Sequence, residues 1–219
     1  MVRPLSEITG IHTIPVNRHI GHDFIVLIVN LQPEVLHRLS GIPVDQLINS
    51  GIDAEAVFSK EITAFNSRLN STDCYKEMIE IVETFLLQMI NRFKSNAHSV
   101  DRISNFILHD PEIVSLPWLA SQANLCPRRF ERKFKERIGV GPKLFTRLAR
   151  FNKASKLKYL TPSADWLSIA LASGYHDYSH LVRDCKEFSS TTPPDFFLKV
   201  IDAPEKHFEF MKPEKYIKI

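Results

Sequence analysis

The spacing of apolar residues divides the chain into a short strand-like opening and a long helical remainder. Two β-branched runs, Ile8–Ile14 and Phe24–Leu31, flank a turn rich in His, Gly and Asn and are predicted as strands. From Pro33 the period changes. Glu34–Leu39 and Val44–Ile48 read as short helical turns separated by Gly41-Ile-Pro43. Asp53 is placed to cap Ala54–Leu69, where Val57, Phe58, Ile62 and Phe65 recur every three to four residues. Ser71-Thr-Asp73 ends that helix and caps the next, Tyr75–Phe93. Its positions Met78, Ile79, Val82, Phe85, Leu86, Met89 and Ile90 form a broad apolar stripe. The polar stretch Lys94–Ser99 that follows marks a domain boundary.

Beyond it the pattern predicts helices over Val100–Leu108, Ser115–Ala123, Pro127–Ile138, Pro142–Leu160, Ala164–Ser173, Tyr178–Phe188 and Pro193–Val200. Part of this series is a repeat. Leu116–Lys135 (LPWLASQANLCPRRFERKFK) returns in degraded form as Asp165–Lys186. Ala120 aligns with Ala170, Ala123 with Ser173, Asn124 with Gly174, Arg132 with Arg183 and Lys135 with Lys186. The offset is 50 before the turn and 51 after it, so the second copy carries one extra residue in the turn. Each copy is a short apolar helix, a tight turn and a second helix with one oily and one polar face. That is the outline of a helix-turn-helix, whose second helix suits the major groove of DNA. The expected fold is mainly α: two helix-turn-helix units joined by a long linker helix, after a small α+β region of two strands and then helices. The expected division is 1–98, 99–200 for DNA binding, and a tail at 201–219.

Charge sharpens this division. Residues 1–98 carry 8 Lys and Arg against 11 Asp and Glu, whereas residues 99–219 carry 20 against 14. Within Asn124–Lys158 there are 12 basic residues and 2 acidic ones, a density that suits a polyanion such as double-stranded DNA. The three cysteines, Cys74, Cys126 and Cys185, form no CxxC pair and read as reduced thiols of a cytoplasmic protein. The longest apolar run, Phe24–Val29, is too short to span a bilayer, and the first residues lack the apolar core of a signal peptide.

In the first unit Phe130, Phe134 and Ile138 share an inward face, leaving Arg128, Glu131, Arg132 and Lys135 on the opposite stripe as candidate base readers. Arginine can grip guanine through O6 and N7, and a glutamate can accept from the cytosine amino group. Arg129, Lys133 and Arg137 point sideways, toward phosphates. In the second unit Leu181, Cys185 and Phe188 face inward, leaving Tyr178, Ser179, His180 and Arg183 for the groove. Tyr178 fits the core edge equally well. Pro142–Leu160 would span about 28 Å at 1.5 Å per residue, approaching the ~34 Å between adjacent major-groove faces. Its Arg147, Arg150, Lys153, Lys156 and Lys158 would add phosphate attraction.

With these motifs, residues 100–197 resemble the DNA-binding domain of AraC/XylS-type transcriptional regulators. The first unit is LASQANLCPRRFERKFKERIG, the linker signature is Arg150-Phe-Asn-Lys-Ala154, and the second unit is IALASGYHDYSHLVRDCKEFSSTTP. Three departures stand out: Cys126 for the capping Ser, Cys185 for a core Phe, and Ser189-Ser190 where a Phe-Gly type of pair is usual. The stretch FIVLIVNLQPEVLHRLSGIPVDQLINSGIDAEAV is similar to the last strand and following helices of a cupin-like sensory domain, which makes 1–98 a truncated sensory or dimerisation region. The resemblance implies a sequence-specific regulator, an activator in contact with RNA polymerase, with two recognition helices in adjacent major grooves. It leaves the effector open, and a homodimer is compatible with it.

No Gly-rich phosphate loop, GxSxG or HExxH occurs, so an enzyme is not expected. His12, His19 and His22 are the one hint of a cupin-type metal enzyme, but their spacing fits no metal rule, and neither a metal nor a cofactor is expected. A competing reading is an interaction adaptor with a weakened DNA-binding domain that dimerises through the Tyr75–Phe93 stripe.

Overall fold

A computed structural model describes residues 4–16, 25–92, 97–111 and 115–202. Phe24, His19, His22, Phe93, Glu112 and the tail from Ala203 lie outside the described residues. Those described form ten α-helices, one 3-10 turn and two short strands. Contacts group them into two compact units, the described parts of Met1–His12, Val16–Phe106 and Ser115–Pro142, and of Thr13–Pro15, Ile107–Val114 and Lys143–Ile219.

The strands differ from expectation. β1 (Glu7–Thr9) covers only the start of the first apolar run, and its antiparallel partner is β2 (Gly51–Asp53), with Glu7 opposite Asp53, Ile8 opposite Ile52 and Thr9 opposite Gly51. Backbone bonds from Ala54 to Ser6, Gly10 to Ser50 and Asn49 to Ile11 extend the pairing. Residues 25–31 form no strand, and their large apolar side chains stand 38–52% exposed. The reason is physical: β propensity measures fit to a pleated, half-buried surface, and among the described residues this run has no partner strand to supply one.

The helical part of the first unit begins with α1 (Pro33–Ser40), which starts on proline and ends at Gly41, whose φ of 68° lets its amide reach the carbonyl of His37. The 3-10 turn Val44–Leu47 follows. α2 (Glu55–Leu69) has its first amide bonded by the Asp53 carboxylate at 2.9 Å and is broken by a non-helical residue at Ser59. α3 (Tyr75–Arg92) packs on α2, with the Phe85 ring between Phe58 and Phe65. Val35 and Leu39 of α1 cluster with Met89 against Phe58, Phe85 and Ile90. The stripe read on Tyr75–Phe93 therefore divides: Met78 and Met89 are buried, Val82, Phe85, Leu86 and Ile90 are half-buried, and Ile79 is exposed.

α4 (Ser99–His109), α5 (Leu116–Gln122) and α6 (Pro127–Ile138) follow. In the second unit, α7 (Pro142–Leu160) leads to α8 (Trp166–Ala172), α9 (Tyr178–Ser189) and α10 (Pro193–Asp202). The observed bounds of α6 and α7 coincide with those predicted. The second core gathers Phe151, Ala154, Ile169, Ala170, Tyr175, Leu181, Cys185 and Phe188. A small apolar pocket lies beside Cys185, lined by Phe151, Trp166, Pro193 and Phe196.

The divided stripe on α3 is testable by urea unfolding. Met89→Ala, which opens a hole under α1, is expected to cost about 2–5 kcal/mol. Ile79→Ala, on the same helix but exposed, should stay within about 0.5 kcal/mol.

Candidate nucleic-acid interface

The two copies of the repeat agree atom by atom through the turn. The amide of Ala123 donates to Leu119 and Ala120, and that of Ser173 to Ile169 and Ala170. The amides of Leu125 and Tyr175 then reach back to the carbonyls of Ala120 and Ala170, each at 3.0 Å. This closure needs a left-handed residue between, supplied by Asn124 (φ 54°) and Gly174 (φ 86°). Ala120 and Ala170 are fully buried, since only a small side chain fits under a crossing helix.

After the turn the copies diverge in capping. Asp177 accepts from the amide of His180 at 2.9 Å and so caps α9, and this bond holds its carboxyl below the usual range. Cys126 stands at the N-cap of α6 and makes no side-chain bond. Both second helices end in left-handed backbone, at Gly139 (φ 104°) and at Ser190 (φ 59°), and a proline opens the next helix in each case. Ser190 holds a conformation that glycine adopts without a steric penalty.

Phe130, Phe134 and Ile138 are buried on one side of α6, each contributing about 1.5–3 kcal/mol. Arg128, Arg129, Glu131, Arg132 and Lys135 are exposed. On α9 the residues left outward are Ser179, His180 and Arg183, while Tyr178 is partly buried against the core. His180 lies 3.0 Å from the Asp177 carboxylate. Lys186 is also exposed, 51 residues after Lys135 on the matching stripe. The repeat alignment already marked that position, although reading the α9 face by its spacing passed over it.

Several expected phosphate contacts are engaged inside the fold. Arg137 donates from Nε and Nη2 to both oxygens of buried Asp101, at 2.6 and 2.7 Å, which fastens α6 to α4. Arg147 is held by Asp184 at 2.7–3.0 Å and by Glu187, and its guanidinium pKa is raised by these bonds. The buried phenol of Tyr175 donates to the same Asp184, and burial pushes its pKa up. Arg150 lies over the Tyr175 ring and donates to the Gly174 carbonyl at 3.3 Å. Lys133 pairs with Glu136 at 2.9 Å. Lys158, only 8% exposed, donates to the carbonyls of Pro162 and Ala164 beneath Trp166. Lys153 is half-buried, and Lys143 and Lys156 are exposed.

At the start of α4, His98 gives its amide to Asp101 at 2.8 Å and accepts the Val100 amide at Nδ1. That acceptor role requires a neutral ring. Burial, with the Arg137 charge beside it, lowers the His98 pKa. Among the described residues no group of three or more His, Cys, Asp or Glu is arranged to hold a metal ion, and no helix is long and apolar enough to cross a membrane.

Residues 119–198, which contain this pair of turns, match a family model described as a helix-turn-helix domain, of the AraC type. The match supports an AraC-like DNA-binding domain in this stretch. The match begins at Leu119 and leaves the N-terminal region unassigned. No curated protein matches the chain. The helix-turn-helix domain makes DNA a partner and the protein a DNA-binding transcription regulator.

Two outcomes follow from the caps and from His98. Cys126→Ser supplies the missing acceptor and is expected to raise unfolding free energy by about 1 kcal/mol in urea titrations. The unfolded chain protonates His98 before the folded one does, so stability should fall as pH drops below 6.5. The fall levels off once the folded protein is protonated too. His98→Asn, which keeps an acceptor for the Val100 amide, should flatten that slope between about pH 7 and 5.5 in urea midpoints.

Proposed function

We propose that the protein is a sequence-specific transcriptional regulator that inserts α6 and α9 into major grooves, with α6 carrying most of the discrimination. The single observation behind this is the exposed stripe Arg128, Glu131, Arg132 and Lys135 directly opposite the buried Phe130, Phe134 and Ile138. A helix packed on one side and charged along the other offers its side chains to base edges at the spacing a groove requires. Each well-placed arginine supplies about 1–3 kcal/mol of discrimination.

Arg129, Lys153, Lys143 and Lys156 serve phosphates in this reading. Arg137, Arg147 and Arg150 act chiefly as internal ties, because their guanidiniums already have partners within the fold. On α9, Ser179, His180, Arg183 and Lys186 face the second groove and Tyr178 anchors the start of the helix. This face has two positive side chains and one imidazole, so it supports binding more than it selects sequence. Activation through contact with RNA polymerase completes the proposal and is supported by the family resemblance.

Selection of bound fragments from genomic DNA, followed by titration on the recovered site, tests the reading. Arg128→Ala and Arg132→Ala are each expected to relax preference at one base pair by about 1–3 kcal/mol. Arg129→Ala should weaken all duplexes alike and shallow the salt dependence by about one unit of slope. Equal behaviour of the three variants would overturn the assignment of faces.

A further inference from the structure

We infer that α1 and the 3-10 turn Val44–Leu47, far outside the matched domain, position α6 for base reading, so that the working first DNA-binding unit starts near Pro33 rather than at α4. The inference rests on the reading of α6 as the base-reading helix. Both elements pack directly on α6. Val44 and Leu47 are 3% exposed, and Val44 sits against the end of α6, where a Cβ on Gly139 would lie 3.2 Å from its Cγ1. Gly139 is therefore held twice, by its left-handed φ and by the side chain that covers it.

A second tie runs to α4. The carboxylate of Glu34 is buried and accepts from Asn105 Nδ2 at 2.9 Å, and α4 in turn grips α6 through the Asp101–Arg137 pair. The Lys133 hydrogen bond holds the Glu136 carboxyl of α6 below its usual range, and His37, one turn further along α1, adds a smaller push in the same direction. The opposite side of α1 is occupied by Met89, Phe58 and Phe85 through Val35 and Leu39. α1 thus packs against both α6 and the α2–α3 pair, and α6 is held by α1 and the turn in addition to α4 and α5. Glu34 and Val44 are too deeply buried to touch DNA. They are positioning residues.

The test uses the full chain and a duplex recovered by selection with the unaltered protein, compared with a scrambled duplex of equal length. Val44→Ala and Glu34→Ala should each lower the ratio of specific to scrambled affinity by about three- to tenfold, part of what one base contact supplies. Affinity for the scrambled duplex should hold, because no phosphate-facing charge has moved. Glu34→Gln, which still accepts from Asn105, should restore the ratio. If either alanine variant fails to fold by circular dichroism, Val44→Thr, which keeps the branched shape with a polar group in the contact, takes its place with the same expected loss. Folded variants that are less stable yet retain the full ratio would overturn the inference and leave the function intact. An unaltered protein with no preference between the duplexes would instead overturn the reading of α6 itself, and this inference with it.

Discussion

The second helix of each repeat copy, α6 and α9, depends on one backbone closure, in which the amide three residues past the supporting helix returns to an alanine carbonyl within it. Leu125 to Ala120 and Tyr175 to Ala170 make that bond at the same length. It fixes the direction in which the next helix departs, and it demands a left-handed residue just before it and a methyl-sized side chain at the crossing. Asn124 and Gly174 meet the first demand, the two alanines the second. The inserted residue in the second copy falls after this closure, so it lengthens the approach to α9 without disturbing the turn.

Around this frame the positive charges divide into two populations with different work. Arg137, Arg147, Arg150 and Lys158 spend their donors on Asp101, Asp184, Glu187 and backbone carbonyls, and hold helices in place. Arg128, Arg129, Arg132 and Lys135 remain outward. A planar guanidinium suits the first role because it can satisfy a buried carboxylate on both oxygens at once. Removing one partner of such a pair leaves a buried charge uncompensated, which costs far more than the loss of a surface ion pair.

Much of this was legible in the sequence because it is local. Proline at the first helical position and glycine past the last one set the bounds of α6, and the 50-residue offset showed both turns. The exposure of Arg128 and Arg132 followed from the spacing of the phenylalanines. What escaped was set by distant partners. Nothing near Arg137 in the sequence announces Asp101, 36 positions away, and nothing near Ile25 announces that β1 pairs with Gly51–Asp53 instead. Tyr178 was open between groove and core, and its partial burial follows from the α9 face turned to the second core.

The unpaired run from Ile25 to Leu31 has a consequence for how the molecule behaves in bulk rather than how it folds. Six large uncharged side chains stand in water beside backbone groups that, among the described residues, take no hydrogen bond. Such a segment is cohesive toward any other apolar surface, and salts that strengthen apolar burial increase that cohesion. The same salts screen the contacts of basic side chains with nucleic acid. Salts of that kind, used to strip DNA from the protein, thus also favour association through this segment.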